Sequence, residues 1–316
     1  MTKIPNYNFT YIDLFAGIGG FHQAASMLGG KCVFASEIDT FAQEAYLENY
    51  GIKPHGDITK IELHEIPEHD VLFAGFPCQP FSIIGNLKGF EDTRGTLFFE
   101  IARILKGKKP SAFILENVKQ LSSHNNGKTL DRILETLEVI GYEVHHKVIN
   151  ALDFGLPQKR ERIIIVGFKN PTKPFKFPTP IGKGNLCDVL DSDETVDAKY
   201  FASEKIVSKR HEKHRSKYPL SIWHENKAGN ITSYPYSCAL RAGASHNYLL
   251  VNGKRRLTPR EMLRLQGFPD TFKIVCSDAQ TKKQAGNAVP VNIIKYVLQE
   301  VLLSCENQNY EIAIKE

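Results

Sequence analysis

No two of the six cysteines stand in C-x-x-C spacing, so the sequence offers neither the usual structural zinc motif nor a disulfide framework. Cys32, Cys78, Cys187, Cys238, Cys276 and Cys305 read as thiols of a reducing cytoplasm. No apolar run approaches the roughly 20 residues of a membrane span. Residues 1–10 lack the apolar core of a secretory signal. There is no internal repeat and no low-complexity tract. Neither sign of charge dominates either: 40 Lys and Arg against 35 Asp and Glu leave +5. A chain of 316 residues can bury a large core and divide into two lobes.

Against that background Pro77-Cys78-Gln79-Pro80 stands out, because it places a thiol just past the apolar run 70–74, where a strand end could present a nucleophile. Thiols attack as thiolates, and a free pKa of about 8.5 calls for cationic neighbours. A lone cysteine is more often a small buried hydrophobe, so its companions decide. Asp13-Leu14-Phe15-Ala16-Gly17-Ile18-Gly19-Gly20 lies between a β-rich run at 9–12 and a helical pattern at 21–28. A strand, glycine turn and helix in that order let backbone approach a nucleotide at the carboxyl end of a strand. The spacing departs from G-x-G-x-x-G, which disfavours NAD but not adenosine.

A second strand at 32–36 runs into Glu37-Ile38-Asp39. Glu37 is placed to accept from two ribose hydroxyls. Asp39, ahead of a helical run at 41–49, reads as an N-cap. At Gly56-Asp57-Ile58 an acid can hold an adenine amino group while an apolar neighbour covers the ring. The apolar run 112–115 ends in Glu116-Asn117-Val118, and a carboxyl at the end of a buried strand is expected to be raised in pKa and able to donate a hydrogen bond. Gln158-Lys159-Arg160-Glu161-Arg162 enters another apolar run; on an extended chain Gln158, Arg160 and Arg162 share a face.

In this order the motifs resemble those of the cytosine-C5 DNA methyltransferases of bacterial restriction-modification systems, over nearly the whole chain. Residues 256–269 and Gly286-Asn287-Ala288-Val289-Pro290 resemble the family's ninth and tenth motifs. The resemblance implies an α/β fold: a Rossmann-like S-adenosylmethionine-dependent methyltransferase sheet with a smaller, mostly irregular or β target-recognition domain. It implies Cys78 as the nucleophile that adds to C6, Glu116 at N3 and the exocyclic amine, and Arg162 at the base carbonyl. Arg160 braces the loop carrying Cys78 or pairs with a local acid. The cofactor would be held by Phe15, Gly17, Gly19, Glu37, Ile38, Asp57, Ile58, Pro77 and Leu97, with Asn287 and Ala288 closing the pocket. No metal enters the scheme.

The target cytosine must leave the duplex stack, at about a few kcal/mol. Residues 82–95, with Gly85, Gly89 and Gly95, suit a hinged lid over DNA, and Gln79, Ser82 and Arg94 are candidate DNA contacts. Composition shifts after Phe168. A proline- and lysine-rich linker at 170–180 precedes a less periodic stretch with β-like pieces at 237–240 and 247–251. The expected domains are a catalytic lobe at 1–174 completed by 283–316, and a target-recognition lobe at 175–282. Lys199, Lys205, Lys209, Arg210, Lys213, Arg215 and Lys217 form a basic cluster suited to phosphates, and Arg241 is a candidate reader of guanine. Leu257-Thr258-Pro259-Arg260-Glu261-Met262 carries an N-cap threonine, proline at the first helical position and glutamate three past the cap, and Gly267 ends that helix. Arg260 and Arg264 could reach DNA or pair internally. The expected enzyme is a cytoplasmic bacterial monomer acting on double-stranded DNA, partnered in the cell by a restriction endonuclease for the same site. Two alternatives stay open: a tRNA cytosine-C5 methyltransferase, whose Cys-Phe-Thr signature is not found here, and a non-catalytic nucleic-acid-binding paralogue.

Overall fold

Buried apolar strands alternating with helices build the first part of the chain. A computed structural model describes residues 7–77, 97–243 and 248–305. In order come β1 (Phe9–Leu14), α1 (Gly20–Ser26), β2 (Gly30–Ser36), α2 (Thr40–Tyr50), β3 (Val71–Gly75), α3 (Leu97–Lys108), β4 (Ala112–Val118), α4 (Lys128–Val139) and β5 (Glu143–Asn150). Then follow β6 (Gln158–Lys159), β7 (Glu161–Phe168), α5 (Glu204–Lys213), β8 (Ile222–Glu225), β9 (Ile231–Tyr234), β10 (Ser237–Cys238), β11 (Leu249–Val251) and β12 (Arg255–Arg256). The chain continues through α6 (Pro259–Leu265), α7 (Asp278–Asn287) and α8 (Val291–Ser304).

Two compact units result. The first comprises Met1–Ile149, Glu161–Pro178 and Ile294–Glu316; the second comprises Asn150–Arg160 and Thr179–Ile293. Residues 150–160 and 283–293, assigned to the first lobe from sequence, thus pack in the second unit. A main reason is polar: Gln158 and Arg160 bond to main-chain groups at 240, 265, 286 and 288, all in that unit.

The first unit carries a six-stranded sheet in the order β2-β1-β3-β4-β7-β5. Its strands β2, β1, β3 and β4 are parallel neighbours, as strand–helix–strand crossovers produce. β7 lies antiparallel on β4. Ile12, Leu14, Leu72, Ala74, Phe113, Leu115, Ile163 and Ile165 from the sheet join Ile101, Ile104 and Leu105 of α3 and Ile133 and Leu137 of α4 in one core. Asp39 caps α2 as expected, accepting from the Phe41 and Ala42 amides at 3.0 and 3.3 Å.

The other side of the sheet holds a buried polar cluster. Tyr46 donates to Asp13 at 3.4 Å and meets His22 Nδ1 at 2.8 Å. Burial pushes the Asp13 carboxyl well above the carboxylate range and the Cys32 thiol up to about 11, and lowers His22 to about 4.

In the second unit β12, β11, β8 and β9 form an antiparallel sheet, while β10 pairs with β6 alone. The capping box at α6 forms as expected: Thr258 accepts from the Glu261 amide at 3.2 Å and Glu261 accepts from the Thr258 amide at 2.7 Å. Glu261 also takes a two-pronged ion pair from Arg255, at 2.9 and 3.0 Å, and both side chains are fully buried. Arg264 pairs internally with Asp191 and Asp270, at 2.6 and 2.7 Å. Within the basic cluster Arg210 turns inward onto Glu225 at 2.9 Å and Lys199 meets Asp278 at 3.3 Å, whereas Lys205, Lys209, Lys213, Arg215 and Lys217 stay exposed. Sequence reading saw only charge in this stretch and missed α5; serine followed by glutamate at 203–204 was the available start signal.

Two stability outcomes follow. Glu261→Gln removes the buried carboxylate from Arg255, leaving it paired with Asp193, and weakens the capping box; it is expected to remove about 2 kcal/mol in a denaturant titration. His22 stays neutral in the fold, whereas in the unfolded chain it protonates below its ordinary 6.5. Its contribution is therefore complete above that pH and is lost as pH falls from 6.5 toward 4, by up to about 3 kcal/mol. Asp13 titrates in the opposite sense. The stability difference between wild type and His22→Gln, followed from pH 7.5 to 4.5, isolates the histidine and should shrink across that window.

Candidate active site

The glycine turn after β1 is built on left-handed backbone. Phe15, Gly17 and Gly19 have φ of 55°, 55° and 81°. For a bulky phenylalanine that conformation is strained, and such strain concentrates where a ligand is gripped. A Cβ at Gly17 would meet nothing within 4 Å, so the backbone there is open to approach. A Cβ at Gly19 would overlap the ring of Tyr50, whose hydroxyl lies 3.3 and 3.1 Å from the carbonyls of Ile18 and Gly19.

Glu37, at the end of β2, locks this turn. One carboxylate oxygen accepts from the Gly17 amide and the other from the Asp39 amide, each at 2.8 Å. Beside it Ile38 is 71% exposed, an apolar side chain held in water next to an acid. Asp57 caps a 3-10 turn, accepting from the Thr59 amide at 3.0 Å and the Thr59 hydroxyl at 2.8 Å, and these bonds hold its carboxyl below the usual range. Ile58, expected to cover a ring, is instead 3% exposed in the apolar core. Leu97 is the first residue of α3, and Pro77 is exposed just past β3. An open left-handed turn, a fixed carboxylate and an exposed isoleucine are an acceptor and surface set that fits an adenosine-bearing cofactor.

The next strands along the sheet carry the polar pair. Glu116 stands opposite Gly75 of β3 on one side and Ile164 of β7 on the other. Arg162, two residues before Ile164, lies diagonally on the same face. Its Nε is 2.6 Å from Glu116 Oε1, with the side chains 12% and 10% exposed. Glu116 therefore does not stand alone in an apolar wall. Asn117, not singled out from sequence, is buried and donates to the Phe76 carbonyl at 2.9 Å. It ties the end of β4 to the chain leaving β3; a polar side chain at the end of an apolar strand was the signal available. Cys78, Gln79, Ser82, Arg94 and the lid at 82–95 lie outside the described residues.

In the second unit Arg160 is 1% exposed and donates to the carbonyls of Leu240, Gly286 and Ala288 at 2.9, 3.0 and 2.8 Å. Of the three residues read as one face, Gln158 and Arg160 belong to the second unit and Arg162 to the first. Asn287 is exposed at the last turn of α7, Ala288 follows it buried, and Arg241 is exposed. Among the described residues no cluster of His, Cys, Asp and Glu could hold a metal ion. No helix among them is long and apolar enough to cross a membrane.

The profile of the family described as C-5 cytosine-specific DNA methylase matches residues 9–302. The chain is 55% identical over 295 residues to the Type II methyltransferase M.HaeII of Haemophilus aegyptius, covering 93% of this chain and 92% of that protein. It is 56% identical over 286 residues to the Type II methyltransferase M.NgoBI of Neisseria gonorrhoeae, covering 90% of each. In fold it is similar to the crystal structure of the S. pombe Dnmt2 methyltransferase, with a TM-score of 0.71 at 22% identity over 94% of this chain and 99% of that one. With its α/β sheet and its ordered motifs, the chain belongs to the C-5 cytosine-specific DNA methylases.

Proposed function

We propose that the protein transfers a methyl group to C5 of a cytosine flipped out of a short specific sequence in duplex DNA, through a covalent bond between Cys78 and C6. The observation that carries this reading is the Glu116–Arg162 pair, set in register with the end of β3, three residues before Cys78. Cytosine C5 is too poor a nucleophile to be methylated directly. Addition of the Cys78 thiolate to C6 pushes an electron pair into the ring, making C5 enamine-like and building negative charge toward N3 and the carbonyl oxygen. Glu116, as the protonated carboxyl, donates its proton toward N3 and accepts from the exocyclic amine, and Arg162, held at a fixed angle by Glu116, polarises the carbonyl. Charge developing beside donors already in place needs little reorganisation. S-adenosylmethionine, when bound, supplies the electrophilic methyl group. A water molecule then takes the C5 proton as base, and the electron pair left behind restores the double bond and expels the thiolate.

Phe15, Gly17, Gly19, Glu37, Ile38 and Asp57, with the main chain at Ile58, would hold the cofactor's adenosine. Pro77, Leu97, Asn287 and Ala288 complete the set by resemblance. The first unit serves as catalytic lobe and the second as target-recognition lobe, with the exposed lysines of α5 neutralising phosphates. Gln79, Ser82, Arg94 and Arg241 are the proposed DNA contacts. The relatives are named Type II methyltransferases, which supports a cytoplasmic role in shielding host DNA from an endonuclease of the same specificity.

The decisive experiment is transfer of labelled methyl from S-adenosylmethionine to unmethylated duplex DNA, with the product mapped at base resolution. 5-Methylcytosine at one recurrent short sequence is expected; label in tRNA alone overturns the DNA reading. Cys78→Ala should abolish turnover while leaving cofactor binding intact, and persistent turnover removes the nucleophile. Glu116→Gln keeps the shape of the side chain but has no carboxyl proton to give to N3, and should lower kcat about 10²- to 10³-fold.

A further inference from the structure

The second unit holds one short stretch of main chain with unusual thoroughness. The two-residue ladder between β6 and β10 ends where Lys159 meets Cys238. Beyond it, side chains take over the ladder's work. The Leu240 amide donates to Gln158 Oε1 at 3.0 Å, and the Leu240 carbonyl accepts from Arg160 Nη1 at 2.9 Å. Gln158 and Arg160 are two apart on one face of an extended segment, so they grip the two polar groups of a single residue. Neither is free to move: Gln158 also donates to the Leu265 carbonyl at 2.8 Å, and Arg160 to those of Gly286 and Ala288. Both are essentially inaccessible, at 0% and 1%.

On the other side the Tyr248 hydroxyl accepts from the Arg241 amide at 2.9 Å and donates to the Ala239 carbonyl at 3.2 Å. Tyr248 is in turn fixed to β8, its carbonyl taking the Glu225 amide at 3.2 Å. Gly286 packs so closely that a Cβ there would collide with the Ala242 nitrogen. The one large side chain that emerges from this clamp is Arg241, which is exposed.

We infer that Gln158, Arg160 and Tyr248 are positioning residues that fix the main chain at 239–241, so that Arg241 meets the edge of one base pair in a single register. This rests on the reading of Arg241 as a DNA contact. A bidentate arginine–guanine contact discriminates only while the guanidinium is held to a fraction of an ångström, and a long flexible side chain inherits that precision from its backbone. The clamp therefore contributes to sequence discrimination rather than to methyl transfer itself.

Tyr248→Phe deletes only the hydroxyl, so the fold is expected to survive. The probes are a duplex bearing the target mapped for the wild type and a set of duplexes with each base pair of that target exchanged in turn. For wild type, Tyr248→Phe, Arg241→Ala and the double variant, kcat/KM is measured on every duplex. Arg241→Ala should lose roughly tenfold or more discrimination at one position. Tyr248→Phe should lose severalfold at that same position, and the double variant should be no worse than Arg241→Ala. If Tyr248→Phe lowers all rates by one factor, or its loss multiplies with that of Arg241→Ala, the clamp is merely structural and the inference falls. If Arg241→Ala leaves discrimination intact, the reading of Arg241 fails and takes the clamp with it. Gln158→Met gives an independent check, expected to weaken discrimination at the same base pair.

Discussion

The register of β4 between a parallel and an antiparallel neighbour is the constraint on which the rest of the candidate site depends. Glu116 faces Gly75 on one side and Ile164 on the other, so Arg162 arrives diagonally across the ladder and closes a 2.6 Å ion pair. A slip of one residue would turn Glu116 to the opposite face of the sheet. The ladder is secured by apolar pairs buried on both faces, from Ala112 opposite Phe168 to Leu115 opposite Ile165. Asn117 extends the same logic sideways by holding the Phe76 carbonyl at the point where the chain heads for Cys78.

A second theme is the use of buried arginine. Arg160 ends on three carbonyls, Arg210 on Glu225, and Arg255 on Glu261 and Asp193. A guanidinium removed from water needs its donors filled, and its planar fork can fill several at once in fixed directions. Much of the basic character of residues 199–264 is thereby spent on internal order. The exposed basic side chains of the stretch include the lysines of α5, Arg215, Lys217, Lys227, Arg241 and Lys254.

Local signals were read well. Asp39 before its helix, and Thr258, Pro259 and Glu261 at the start of α6, are caps whose partners lie within three residues, and each forms as its spacing implies. The glycine turn and the alternation of strand and helix needed no distant contact either. Other roles were not legible. Glu37, read as the ribose acid, also accepts the Gly17 and Asp39 amides, a turn-locking role its sequence position did not reveal. Ile58, read as a cover for a ring, belongs to the core. Charge in the 204–213 segment hid a helix whose inward residue is an arginine, because an arginine on the inner face leaves almost no apolar stripe to detect.

Gln158, Arg160 and Arg162 mark the boundary between the two kinds of information. Their alternation says that they share an extended run, and side-chain chemistry says that two are permanent cations with several donors each. Those are properties of residues and of spacing, and they are complete in the chain. Which acceptors the donors reach depends on segments far away in sequence: Glu116 for Arg162, and residues 240, 286 and 288 for Arg160. Such partners are brought close by strand pairing and core packing, whose free energy is summed over many residues, and no local pattern encodes which of them will meet.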